Sequence, residues 1–396
     1  MSRERIYLDH NARSALRAEA RAAMIAALDH DGNASSVHAE GREARRLVED
    51  AREQVAALVG AEPREIVFTS GATEANNVAL GQGWGTIALA GIEHESVLVP
   101  AKASGAKTVE LPVGGNGVVG LANLDGGDLS EGNVSEGNAR EGASGGSVLG
   151  GSVLGGPVLL TLQLANNETG VCQDVAGAAE FCRAQGWAMH TDAVQACGRI
   201  DVDFAALRVD LMSLSSHKIG GPMGVGALVV RDGFELSALI TGGGQERRRR
   251  AGTENVAAIA GFGAAARVAL AQRRGEAERL AGLRDRAQAA MVEIGAVVIG
   301  GGVDRLANTL CVAFPGHLAE TTVIKLDLAG VSISAGSACS SGKVGASHVL
   351  SAMGLPPDVA RSAVRISLGW NTSETSLEQF LSRFERLFAS QGRAVA

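Results

Sequence analysis

Six short apolar runs separated by helix-like stretches limit what this chain can fold into more than any other feature. They are "EIVFTS" (65–70), "TIALAG" (86–91), "PVLLTLQLA" (157–165), "GWAMHTD" (186–192), "VDLMSLS" (209–215) and "GVGALVV" (224–230). Each is nearly continuous in apolar residues instead of alternating with polar ones, the pattern of strands buried on both faces of a mostly parallel sheet. Between them the apolar spacing is helical. "EARRLVEDAREQVAALVG" puts Leu47, Val48, Ala51, Val55, Leu58 and Val59 on one face, and Gly60 supplies a stop. This alternation predicts an α/β fold, with a large domain over residues 16–255.

The remainder reads differently. An alanine-rich helical stretch at about 256–294 precedes "NTLCVAF", a helix near "ETTVIKLDLAG", the short strand "VSIS" and "AVRISLGW". A final helix carries Leu377, Phe380, Leu381, Phe384 and Leu387 on one face. These predict a smaller α+β domain built from residues 1–15 and 256–396. Residues 114–156, with "SEGN" twice and "SVLGG" in tandem, read as a loose Gly/Ser-rich excursion.

The formal charge of −7 argues against a nucleic-acid partner held by phosphate neutralisation. Cys172, Cys182, Cys197, Cys311 and Cys339 are scattered without a CxxC pair, so neither a zinc site, nor any other metal site, nor a disulfide framework is expected. No run of 18 apolar residues occurs, and the expectation is a soluble cytoplasmic protein with no membrane partner.

In open α/β sheets ligands sit beyond the carboxyl ends of the strands. There the sequence lines up Thr73, His94, Asn167, Asp192, Gln195, Ser215, His217 and Lys218. Taken singly, Thr73 in "SGATEAN" either caps a helix or, with the glycine beside it, helps bind a phosphate. Asp192 can cap the next helix, and His94 can be structural. Lys218, at the end of a buried strand, has few cheap structural uses. Together they suit pyridoxal 5'-phosphate: a lysine amine for its aldehyde, a carboxylate for its ring nitrogen, a helix N-terminus for its phosphate and an imidazole to stack on the ring.

At this point the chain resembles a known family. "YLDHNA", "GNASSVH", "EIVFTSGATEANN", "IEHESV", "NNETGVCQD", "TDAVQACG", "DLMSLSSHKIGGPMGVGAL", "GGGQERRRRAGTENV", "SISAGSACSSG" and "VRISLG" occur in the order seen in cysteine desulfurases. That family belongs to the class V aminotransferase group and has the aspartate-aminotransferase-like fold. The resemblance implies a homodimer that takes L-cysteine and hands sulfur to an acceptor or iron–sulfur scaffold protein. It implies Lys218 as the imine lysine, Asp192 as the pyridinium partner and His94 as the ring-stacking histidine. Ala72, Thr73, Ser215 and His217 match phosphate-holding positions, with Thr253 reaching the phosphate from the other subunit. Asn167 and Gln195 match residues that bond the ring substituents, Asn167 also lying at the substrate. Arg365 matches the arginine that grips the substrate carboxylate. Asn11 and Arg247–Arg250 are expected near the pocket mouth. Cys339, in a long loop at about 335–347, matches the cysteine that becomes a persulfide. The chain departs from the family by lacking Thr-Thr-Pro after Asn11-Ala12 and by carrying Ala34 where proline is usual. Rival readings are a related lyase on the same cofactor, such as a selenocysteine lyase, and a non-catalytic interaction protein with the same fold.

Overall fold

The computed structural model of the chain describes residues 5–121, 156–336 and 347–389. Its strands are β1 (Ile6–Tyr7), β2 (Ile66–Thr69), β3 (Thr86–Ala90), β4 (Lys107–Leu111), β5 (Val158–Thr161), β6 (Ala188–Asp192), β7 (Leu211–Ser215), β8 (Gly226–Val230), β9 (Val297–Ile299), β10 (Thr309–Ala313), β11 (Val331–Ser332), β12 (Ser334–Ala335) and β13 (Ala363–Ser367). Its helices are α1 (Ala18–Leu28), α2 (Ala39–Leu58), α3 (Ala72–Leu80), α4 (Glu95–Ala103), α5 (Val175–Gln185), α6 (Phe204–Leu207), α7 (Val256–Glu293), α8 (Ala319–Leu328), α9 (His348–Ala352), α10 (Pro357–Ser362) and α11 (Glu374–Ala389).

All six apolar runs join one sheet of order β2-β8-β7-β6-β5-β3-β4. Only β8 runs against its neighbours. The fold is therefore α/β with a mostly parallel central sheet. The continuous apolar character has a direct cause. Val67, Ile87, Leu89, Leu159, Leu211 and Leu228 pack under α3 and α4 on one face. Phe68, Ala88, Leu160, Met212, Leu214 and Val229 pack with α2, α5 and α7 on the other. Helix α2 buries Val48, Ala51, Val55 and Leu58 as its spacing predicts, and Gly60 follows its end at φ 62°.

A second body surrounds the antiparallel sheet β12-β13-β10-β9 and the parallel pair β1-β11. Its core includes Leu310, Val312, Ile366, Leu377, Phe380 and Phe384. Helix α7 belongs to both bodies: Ile259, Phe262 and Ala265 lie in the first core, and Leu280, Leu283 and Met291 in the second.

Candidate active site

The carboxyl ends of β2, β3, β5, β6 and β7 open onto one cavity of about 430 Å³. Ala72, Thr73, His94, Asn167, Asp192, Gln195, Ser215, His217 and Lys218 line it, and Arg365 reaches it from β13 in the second body. Residues separated by almost 300 positions thus converge as the sequence predicts. Thr253 is exposed and is not among the lining residues. Cys339 lies outside the described residues.

Lys218 stands in a 3-10 turn, Ser216–Lys218, directly after β7. Its Nζ donates to the carbonyls of Asn11 at 2.5 Å and Ala12 at 2.9 Å. Asn11 is therefore an inner wall and not a mouth residue. Its side chain is fully engaged, Nδ2 donating to Asn167 O and Thr309 Oγ1 and Oδ1 accepting from Asn308.

Asp192 ends β6, buried, and accepts from Asn76 Nδ2 at 2.9 Å and from its own loop at Val194 N at 3.0 Å. His94 is the N-cap of α4, where its Nδ1 accepts from Ser96 N at 3.1 Å. That bond leaves the proton of the neutral ring on Nε2. Burial holds this imidazole below its usual range, against the pull of Asp192. Asn76 joins the two groups, since its Nδ2 also donates to Ser96 Oγ. Behind Gln195 lies the half-buried Arg199, bonded to Gln195 Oε1 and to the carbonyls of Gln195 and His10. Burial pushes Arg199 down to about 10. With Oε1 taken, Gln195 Nε2 is turned toward Asn11 O at 3.1 Å. Neither Asn76 nor Arg199 was predicted as a site residue. Asn76 lies within a quoted motif and Arg199 directly follows one, but their role depends on which atoms face the pocket.

Helix α3 begins at the rim with Gly71 as an N-cap that has no side-chain bond. Its first amides are thus open to an anion. A Cβ on Gly226 would lie 2.8 Å from Gly71 Cα, so β8 can pass under this turn only as glycine. Of the basic run, Arg250 pairs with Glu74 on α3 at 3.0 Å, while Arg247 and Arg249 point to the carbonyls of Pro63 and Arg64.

Arg365 is buried, donating from Nη1 to Asn167 O at 3.0 Å and from Nη2 to Asp9 Oδ1 at 2.7 Å. Among the described residues its Nε has no acceptor.

These residues fit pyridoxal phosphate. The open amides of α3 and the Thr73 hydroxyl suit its phosphate, Asp192 its ring nitrogen and Lys218 its aldehyde. His217 Nδ1, buried at the same rim and without a partner among the described residues, is a polar atom that a phosphate oxygen would satisfy.

The comparisons agree with this geometry. The family model "Aminotransferase class-V" matches residues 6–127 and 153–380, passing over most of the repeat region. The cysteine desulfurase IscS of Dictyoglomus turgidum is 37% identical over 400 residues, covering 98% of this chain and 95% of that one. A NifS-like protein of Rickettsia africae superposes with a TM-score of 0.85 at 31% identity, covering 98% of this chain and all of its own. SspA, solved in complex with cysteine, gives 0.75 at 29% identity, covering 91% of this chain and 98% of its own. The chain belongs to the class-V aminotransferase family, on the branch that holds the cysteine desulfurases.

Proposed function

We propose that this chain is a pyridoxal-phosphate-dependent L-cysteine desulfurase that releases L-alanine and keeps the sulfur as a persulfide on Cys339. One observation carries the reading: an amine (Lys218), a carboxylate (Asp192) and a guanidinium (Arg365) share one cavity with an uncapped helix N-terminus. The cysteine complex of SspA and the names of the relatives point to the substrate.

When bound, the cofactor supplies an electron sink for the α-carbon of an amino acid. The rest is the work of the chain. Arg365 binds the substrate carboxylate, a planar match for guanidinium. Lys218 Nζ takes the α-proton, and Nε2 of His94 carries the exchangeable proton on the ring's free side. The Cys339 thiolate gives an electron pair to the substrate's sulfur. An S–S bond forms, the carbon–sulfur bond breaks, and its electron pair stays on the β-carbon, which takes up a proton; return of the α-proton from Lys218 then completes alanine. The other cysteines support this choice by their chemistry. Burial pushes the Cys172 thiol up to about 11 and those of Cys182, Cys197 and Cys311 up to about 12, far from thiolate at neutral pH.

The working form is a homodimer in which Thr253 serves the partner's cavity. Its exposure supports this, as do exposed apolar side chains at Val37, Leu239 and, at the cavity mouth, Met223. A division into residues 16–255 and residues 1–15 with 256–396 is supported by the seven-stranded sheet lying in the first part and the four- and two-stranded sheets in the second, with α7 shared between the two cores. The persulfide passes to an acceptor or iron–sulfur scaffold protein in the cytoplasm, where thiols stay reduced. Among the described residues no helix is long and apolar enough to cross a membrane.

Incubation with L-cysteine and a reductant tests the reaction: alanine and sulfide are expected in equal amounts. Hydride trapping should leave the cofactor on Lys218. No adduct there, or alanine release undiminished in Cys339→Ala, would overturn the reading.

A further inference from the structure

Glu168 has no role in the site as described, yet it follows Asn167 in the chain and is 1% exposed. Its Oε2 accepts a 2.6 Å hydrogen bond from Ser347 Oγ. Ser347 is also the N-cap of α9, its hydroxyl oxygen accepting from Leu350 N at 3.2 Å. Gly336 approaches the same carboxyl: a Cβ there would lie 2.8 Å from Glu168 Oε2 and 3.3 Å from Ser347 Cβ. In sequence, Gly336 and Ser347 flank the stretch that contains Cys339.

Two segments that enclose the reactive cysteine therefore meet on one buried carboxyl, next to a cavity-lining residue. Among the described residues Glu168 has no ion-pair partner. Burial pushes it up to about 7, against the Ser347 bond and the field of Arg365. A carboxyl held this way is a hydrogen-bonding group before it is a charge.

We propose that Glu168 is a positioning residue for sulfur transfer: it holds Ser347 through the hydroxyl while Gly336 packs closely against the same carboxyl, and so fixes where the intervening Cys339 stretch is rooted relative to the substrate pocket. The inference rests on Cys339 being the sulfur acceptor. The Ser347 bond needs an acceptor, and an amide carbonyl can replace the carboxyl oxygen, whereas a hydrocarbon cannot.

The test uses holoenzyme variants Glu168→Gln, Glu168→Leu, Ser347→Ala and Ser347→Thr. Two quantities are measured: kcat and KM for alanine release, and the rate at which iodoacetamide alkylates Cys339 without substrate, read by peptide mass spectrometry. Glu168→Leu and Ser347→Ala are expected to lose at least tenfold in kcat with KM within twofold, and to change the alkylation rate at least threefold. Glu168→Gln and Ser347→Thr should stay within threefold of the parent throughout. If Glu168→Leu fails to fold, the Ser347 pair supplies the same comparison. Parental kcat and alkylation in Ser347→Ala, or a Gln variant as impaired as the Leu variant, would overturn the proposal. So would joint loss of kcat, substrate affinity and cofactor absorbance. Alkylation needs no turnover, so it reports on Glu168 even if Cys339→Ala shows that the desulfurase reading is wrong.

Discussion

Asn76 on α3 donates a 2.9 Å hydrogen bond to Oδ2 of Asp192 at the end of β6. The helix that offers its N-terminus to an anion thus also orients the carboxylate meant for a ring nitrogen. Replacing Asn76 with Ala removes one hydrogen bond to a charged group. Cofactor binding should weaken by about tenfold, or ~1.4 kcal/mol. Fluorescence titration of the apoenzyme with pyridoxal phosphate measures this, and unchanged affinity would show that Asp192 is held without Asn76.

Gly226→Ala should be more damaging. The added methyl would meet Leu214 O at 2.5 Å and the Gly71 backbone at 2.8 Å, atoms that cannot swing aside. The turn leading into α3 must move. We expect at least a tenfold loss of cofactor affinity and a stability loss of about 1–3 kcal/mol by urea denaturation.

Glu246 tests the buried support of the basic loop. It forms two 2.8 Å bonds with Arg52 and accepts from Phe68 N at 2.9 Å. Glu246→Ala leaves the buried guanidinium with only the more exposed Glu49 as counter-charge, and a loss of roughly 2–4 kcal/mol is expected in urea melts.

Two residues on, Arg248 is exposed and held at φ 66°, a conformation that costs a side chain and suits glycine. Arg248→Gly should raise stability by about 1 kcal/mol or less, because glycine's extra freedom in the unfolded chain offsets part of the gain. A fall in the melting temperature would contradict this.

Acid should weaken the fold through His190. This ring is wholly buried between Thr161 Oγ1 at 2.8 Å and Ser213 Oγ at 3.0 Å, and burial pushes it from 6.5 down to about 4. Below pH 6.5 the unfolded chain takes up a proton that the folded one refuses. The stability present above that pH is lost as pH falls toward 4, on the order of 3 kcal/mol for this group alone. Glu168 acts in the opposite sense: its folded carboxyl keeps a proton up to about pH 7, so acidification through that range favours the fold. Between pH 8 and pH 5 the urea midpoint of Glu168→Gln should therefore fall relative to that of the parent, which keeps the carboxyl's gain.

The sheet and its rim were legible because their signals are local. A strand buried on both faces must be apolar throughout, and the residue after it must face the ligand. Strand β4 escaped because it lies at the sheet edge, where Lys107 and Glu110 interrupt "KTVEL" and break the apolar run. Asn76 and Arg199 escaped for another reason. A polar side chain inside a helix or turn looks the same in sequence whether it meets solvent or a buried carboxylate. Asn11 was placed at the mouth, but its side-chain partners, Asn308 and Thr309, lie some 300 residues away.

Helix α7 carries one more consequence. Its 38 residues span about 57 Å, with each half sealed into a different core. It acts as a beam between the two bodies, and bending it would break backbone hydrogen bonds or pull buried alanines into water. The spacing between the cation on β13 and the amine beyond β7 is therefore set by architecture, and an amino acid that bridges them is measured against a fixed gauge.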